Sequence, residues 1–109
     1  MTLSLIDNVT SDVIPISRLP ALIGRASEAD VPLDDERIGN LQCMVDRTWL
    51  GLVVWDLGTG CGTLVNGKPV MKAVLEPGDE ICIGRFRFRV MWETADKRRR
   101  TSLVGAGQF

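Results

Sequence analysis

Apolar and polar residues alternate in short runs along this chain, and the clearest run covers residues 85–92. Every second side chain there is apolar, and the intervening ones are three arginines and a methionine. A period of two is the pattern of a β-strand with one buried face. The residues predicted to face the core are Phe86, Phe88, Val90 and Trp92.

Shorter runs of the same kind precede it, and turn signals separate them. Asn66-Gly67 predicts a tight hairpin because both turn positions need a positive φ. Pro77-Gly78-Asp79 predicts a second turn. We expect further strands near residues 3–5, 13–16, 22–23, 42–48, 52–55, 63–65 and 81–83, with Pro15 favouring a sheet edge for the second of them.

No long run shows the 3.6-residue period of a helix, so the pattern predicts an all-β sandwich or barrel. The pattern stops after Thr94, where a basic run and then glycines follow. We therefore expect one folded domain over residues 1–94 and a basic, flexible tail over 95–109.

Composition narrows the possible chemistry. The 109 residues suffice for one small domain, and they include no His and only three Cys. Without His, the Ser-His-Asp and Cys-His arrangements and the His-centred zinc sites are excluded. We predict a protein that is not an enzyme and has no metal or cofactor. The alternative is an enzyme that uses Asp34, Asp35 or Asp56 as acid–base groups.

The cysteines and the charge distribution bear on compartment and partners. An odd, sparse set of cysteines (Cys43, Cys61 and Cys82) indicates reduced thiols and a cytoplasmic protein. No signal peptide or membrane-spanning run is evident, so we expect no membrane partner. Seven of the 13 basic residues lie between Arg85 and Arg100, although the formal net charge is −1. We do not expect nucleic acid as a partner, because the aromatic residues of 85–92 face away from the arginines. Contact through the basic tail is a distant alternative.

The glycine-rich segment superficially matches a phosphate-binding loop. Residues 62–68 fit Gly-x4-Gly-Lys, but Pro69 follows where such a loop needs Ser or Thr and then a helix. Turn geometry alone explains these glycines.

Four blocks of residues occur in an order and spacing that resemble the forkhead-associated (FHA) domain family. They are Leu22-Ile23-Gly24-Arg25 followed by Ala29-Asp30-Val31-Pro32-Leu33-Asp34-Asp35; Ile38-Gly39-Asn40-Leu41-Gln42-Cys43; Asp56-Leu57-Gly58-Thr59-Gly60-Cys61-Gly62-Thr63-Leu64-Val65-Asn66-Gly67; and Leu75-x-x-Gly78-Asp79-x-Ile81-x-Ile83-Gly84 followed by Phe88 and Val90. The resemblance spans residues 22–90. It implies a sandwich of two packed, mostly antiparallel sheets with about 10–11 short strands, which typically binds phosphothreonine peptides.

The resemblance also implies site residues. Arg25 matches the family's phosphate-facing arginine, and Gly39, Gln42 and Cys61 stand where the family has Ser, His and Asn. The implied phosphopeptide-binding residues are Arg25, Gly39, Asn40, Thr59, Gly60 and Cys61. The implied loop-bracing residues are Gly24, Gln42, Gly62, Asn66 and Gly67.

These departures lead to the functional hypothesis. We expect a non-catalytic protein-interaction module that binds a protein or peptide through the loops around Arg25 and Asn40, with weakened or lost phosphothreonine dependence. The alternative is a working phosphothreonine-peptide reader. Its ligand could be its own tail, since the basic run before Thr101 and Ser102 makes these two residues candidate phosphorylation sites.

Overall fold

The computed structural model describes residues 2–93, and within them every regular element is a β-strand. The strands predicted at both ends of this range are present, and their alternating burial matches the sequence pattern. The eleven strands are β1 (Thr2–Asp7), β2 (Val13–Ile16), β3 (Ala21–Gly24), β4 (Val31–Pro32), β5 (Cys43–Thr48), β6 (Gly51–Asp56), β7 (Leu64–Val65), β8 (Lys68–Pro69), β9 (Lys72–Val74), β10 (Glu80–Ile83) and β11 (Phe86–Glu93).

The strands form two packed sheets, which confirms the predicted sandwich. One sheet has six strands in the order β2-β1-β11-β10-β7-β8, and the other has five in the order β4-β3-β5-β6-β9. The paired strands β3 and β4 are parallel, whereas the other described pairs are antiparallel. Burial of the inner faces of both sheets provides the main stabilisation. The largest fully buried apolar side chains are Phe88, Ile23, Ile38, Leu75, Ile81 and Ile83.

Strand β11 confirms the period-two prediction. Phe88 and Val90 are buried, Phe86 and Trp92 pack against the same core, and the intervening arginines are exposed. The Asn66-Gly67 hairpin is also confirmed, because both residues have a positive φ, at 51° and 83°.

The alternating run over residues 85–92 begins one residue before β11. Arg85 lies in the turn between β10 and β11, where Gly84 adopts a φ of 58° and reverses the chain. Strands β4 and β9 were not predicted, since two or three residues are too few to show a period, whereas β8 is the second strand of the predicted Asn66-Gly67 hairpin.

The connections that follow β3, β4 and β6 lie at one end of the sandwich. Strands β5 and β6 form a hairpin whose turn, at Trp49 and Leu50, is at the opposite end. Cys43 therefore faces Asp56 in the register, and the next residues outward meet where the Leu57 amide donates to the Gln42 carbonyl at 2.9 Å.

Two sequence predictions fall outside residues 2–93. They are the flexible tail over 95–109 and the candidate phosphorylation sites Thr101 and Ser102. None of the described residues forms a helix with the length and apolar character needed to cross a bilayer.

Candidate peptide-binding site

Three loops meet at the end of the sandwich where β3 ends and β5 begins. The first follows β3 (residues 25–30), the second follows β4 (residues 33–42) and the third follows β6. The Arg25 amide donates to the Gly39 carbonyl at 2.9 Å, and the Ala26 amide donates to the Asn40 carbonyl at 3.2 Å. The third loop, residues 57–62, lies against the second. The structure therefore brings the loop that carries Arg25 and the loop that carries Asn40 together.

Glycines allow this close approach. A Cβ at Gly24 would collide with the Asn40 carbonyl oxygen, and one at Gly60 would collide with the Gly39 amide nitrogen. A Cβ at Gly39 would collide with the Thr59 hydroxyl oxygen. Larger residues at these three positions would force the loops apart, so the glycines are a packing requirement of the site.

Gln42 connects two of the loops from behind. Its side chain is completely buried. Its Oε1 accepts from the Gly39 amide at 2.9 Å, and its Nε2 donates to Asp56 Oδ1 at 3.2 Å. The orientation of the amide follows from its neighbours, because a backbone N–H needs an acceptor and a carboxylate needs a donor. These contacts are those that a bracing residue would make.

Thr59 joins the second loop to the third. Its hydroxyl donates to the Leu41 carbonyl at 2.6 Å. Because the hydroxyl occupies the space beside Gly39, it lies where a side chain at position 39 would begin. A hydroxyl is therefore present at this point, although it comes from the neighbouring loop.

The outer side of the loops presents hydrogen-bond donors. Arg25 and Asn40 are exposed, and neither side chain has a hydrogen-bond or ion-pair partner among residues 2–93. In the same range, no acceptor is bound to the amides of Asn40, Thr59, Gly60 and Cys61. Free amides and a guanidinium suit an anion or the carbonyls of an extended peptide.

Two of the carboxylates near the loops, Asp35 and Asp56, already have partners. Arg37 and Arg85 contact Asp35, at 2.9 Å and 3.6 Å. The hydrogen bonds from Arg37 lower the pKa of Asp35 to about 2, and Arg85 adds to this effect. Asp56 accepts from Gln42 and from the Gly58 amide. These two carboxylates therefore stabilise loops.

The remaining predicted site residues lie on the third loop or in the hairpin that follows it. Cys61 is exposed on the third loop, with its Sγ 4.0 Å from Gln42 Oε1. Asn66 exchanges hydrogen bonds with Asp79 and Glu80, so it secures the β7–β8 hairpin to the start of β10. Gly62 has a φ of 91°, which a turn between the third loop and β7 requires.

Sequence reasoning missed two participants. Asp56 was not expected to contact Gln42, but it holds the Gln42 side chain in place. Leu41 supplies the carbonyl that fixes Thr59. The position of Asp56 directly after an apolar strand could have indicated a role at the loops. Nothing in the local sequence indicates that the Leu41 carbonyl accepts from Thr59.

A β-sandwich with donor-rich loops clustered at one end has the architecture of a ligand-binding module. The family model "FHA domain" matches residues 21–84, and this chain belongs to that family.

Individual relatives agree with this assignment. The chain is 36% identical over 73 residues to the "Oxoglutarate dehydrogenase inhibitor" of Corynebacterium diphtheriae, a match that covers 67% of this chain and 51% of that protein. It is 39% identical over 65 residues to the "Glycogen accumulation regulator GarA" of Mycobacterium tuberculosis, with 60% and 40% covered. The chain thus spans about half the length of the curated relatives it matches.

Among solved structures, the fold is similar to that of the N-terminal FHA domain of S. cerevisiae Rad53p in complex with a phosphothreonine peptide. The TM-score is 0.76 at 19% identity, with 93% of this chain and 99% of that one covered.

Proposed function

We propose that this chain is a non-catalytic, cytoplasmic interaction module whose loops around Arg25 and Asn40 bind a protein or peptide partner with weakened phosphothreonine dependence. One observation carries the proposal. The loops have free donors on their outer side, but two positions lack the donor side chain that the family has there. Arg25 and Asn40 are available to a ligand, whereas Gly39 offers no hydroxyl and Cys61 offers no side-chain amide.

The size of the expected weakening follows from the missing contacts. One hydrogen bond to a charged group contributes about 1.5–3 kcal/mol. The lack of a hydroxyl at Gly39 therefore reduces affinity for a phosphate by roughly tenfold to a hundredfold. The Gly39 amide offers no replacement, because it donates to Gln42.

The alternative is a working phosphothreonine reader, and the position of Thr59 favours it. Its hydroxyl lies beside Gly39 and could rotate from the Leu41 carbonyl towards a phosphate. The similar Rad53p domain was solved with a phosphothreonine peptide, which adds support.

A paired titration distinguishes the two functions. A phosphothreonine-peptide library and its unphosphorylated twins are titrated against the chain by fluorescence anisotropy. We expect the affinities of each phosphopeptide and its unphosphorylated twin to differ by no more than about tenfold. Arg25→Ala should weaken the binding of both peptides. Arg47→Ala is the matched control, since Arg47 is an exposed arginine on β5 without a side-chain partner in residues 2–93.

Two outcomes would overturn the proposal. A preference of more than a hundredfold for the phosphorylated peptides establishes the reader instead. Binding that survives Arg25→Ala and Asn40→Ala unchanged removes these loops as the site. Cys61→Asn adds a further test, because an amide at this position should strengthen peptide binding while Cys61→Ala should not.

A further inference from the structure

The outer face of the six-stranded sheet carries a group of outward-facing residues that the loop site does not use. Ile6, Val13, Arg87, Arg89 and Met91 form this group, which we call the arginine face. In the register, Val13 pairs with Ile6 and Ile6 pairs with Arg89, so the three form one row across β2, β1 and β11. Met91 lies two residues after Arg89 on the same side of β11.

The apolar members of the arginine face are separate from the core. Leu3, Leu5, Phe88 and Val90 point inward, so the alternating residues of β1 and β11 point outward. Val13 is 61% exposed and Met91 is 37% exposed. A flat sheet surface with exposed apolar side chains beside arginines resembles the composition of protein interfaces, where Met and Arg are enriched.

The two arginines are unpaired. Neither Arg87 nor Arg89 has an ion-pair partner within residues 2–93. The cross-strand neighbour of Arg89 is Glu80, but its carboxylate accepts from the Asn8 side chain at 2.9 Å. Arg87 faces Cys82. The guanidinium groups of Arg87 and Arg89 therefore make no ion pair within residues 2–93, although the carboxylate of Glu80 lies on the same face of the sheet.

The edge of this sheet beside the arginine face is poorly suited to strand addition. Its edge strand β2 contains Pro15, which has no N–H to donate to an added strand. A partner would therefore contact side chains on the face and not extend the sheet.

From these observations we propose that the arginine face is a second docking surface, and that its partner is a protein segment carrying carboxylates next to apolar side chains. Carboxylates complement the unpaired guanidinium groups, which bind them in a bidentate manner. Apolar side chains of the partner cover Ile6, Val13 and Met91. Nucleic acid fits less well, because the aromatic rings of β11 lie on the opposite side of the strand and none is available for stacking there.

The test is an NMR titration of the full chain with defined probes. The first probe is a peptide that alternates glutamate with leucine, and its twin has glutamine at every glutamate. A single-stranded oligouridylate is the third probe. We expect the acidic peptide to shift the amide signals of β1, β2 and β11, to bind at least about tenfold more tightly than its twin, and to weaken as salt increases.

Variants connect the signal to the two arginines. The double variant Arg87→Gln/Arg89→Gln should lose at least about tenfold in affinity for the acidic peptide, while Arg47→Gln should bind like the parent chain. Arg25→Ala should leave this binding intact, so failure here and failure of the loop site give different results. The proposal is overturned by equal binding of the glutamine twin, by shifts confined to the loops, by oligouridylate binding the face as tightly, or by no binding.

Discussion

Replacing Gln42 with glutamate tests the buried connection behind the loops with a change of only one atom type. In the folded chain, Gln42 Nε2 donates to Asp56 Oδ1 at 3.2 Å. Gln42→Glu places a second carboxylate at this position. The other oxygen can still accept from the Gly39 amide, so the loop contact itself is kept.

The magnitude follows from the separation and the burial. Two unit charges about 4 Å apart repel by about 4 kcal/mol at an effective dielectric constant of about 20. Asp56 is only partly buried, so about 3 kcal/mol is a reasonable expectation. For a domain of this size, 1 kcal/mol shifts Tm by roughly 4–8 °C. The variant should therefore melt at least about 12 °C below the parent chain at about pH 7.5.

The pH dependence gives the prediction its specificity. Burial and the neighbouring carboxylate raise the pKa of the introduced glutamate above its unfolded value of about 4.3. Because this pKa is raised, the whole destabilisation is present at pH values above the pKa of the glutamate in the folded state. It disappears as pH falls to about 4, where the protonated side chain can donate to Asp56. Thermal unfolding followed by circular dichroism at pH 7.5 and pH 4.5 measures this.

Gln42→Leu is the control, because it removes both hydrogen bonds of Gln42 and cannot titrate. It should lower stability by about 2–4 kcal/mol at both pH values, since it leaves the buried Gly39 amide unpaired. Equal destabilisation of the glutamate variant at the two pH values would refute the reasoning. So would a glutamate variant as stable as the parent at pH 7.5.

Three further predictions concern the same loops. Asp35 should titrate near pH 2 when its carboxyl signal is followed by carbon-detected NMR. The stability that its contacts provide is present above about pH 4 and is lost as pH falls towards 2. Arg37→Ala should move the pKa of Asp35 back towards its usual value. At pH 8, iodoacetamide should modify exposed Cys61 and leave Cys43 intact until the chain unfolds, because burial raises the pKa of Cys43 to about 12; rapid labelling of Cys43 in the folded chain, read by mass spectrometry, would contradict this. Gly60→Ala should lower the unfolding free energy by at least about 2 kcal/mol in urea, because its Cβ meets the neighbouring loop; an unchanged midpoint would show that the loops can separate freely.

The strands with a buried face could be predicted from the sequence because burial imposes a period of two on them. Strand β11 is the clearest case, where Phe88 and Val90 alternate with arginines. Strands β4 and β8 could not be predicted in this way. Each contains two residues, and each exists because of the neighbour with which it pairs, Ile23 with Val31 in one case and Val65 with Lys68 in the other.

The candidate site likewise contains residues that could be recognised from the sequence and contacts that could not be predicted from it. Arg25 and Gln42 could be assigned roles because their positions match a family pattern. The contact of Gly60 with Gly39 could not be predicted, since it joins residues far apart in sequence and depends on how two loops pack. The bond from Thr59 to the Leu41 carbonyl depends on the same packing.

This packing changes the meaning of the glycine at position 39. From the sequence alone, Gly39 is a residue that lacks a hydroxyl, and Gly39→Ser would be expected to restore it. In the structure, the Thr59 hydroxyl occupies the space that a serine Cβ needs, and Gly60 lies against the adjoining amide. A serine at position 39 would therefore displace Thr59 from Leu41 before it could contact a ligand. We therefore expect Gly39→Ser alone not to increase affinity for a phosphopeptide, because the arrangement of the two loops limits what a side chain at position 39 can contact.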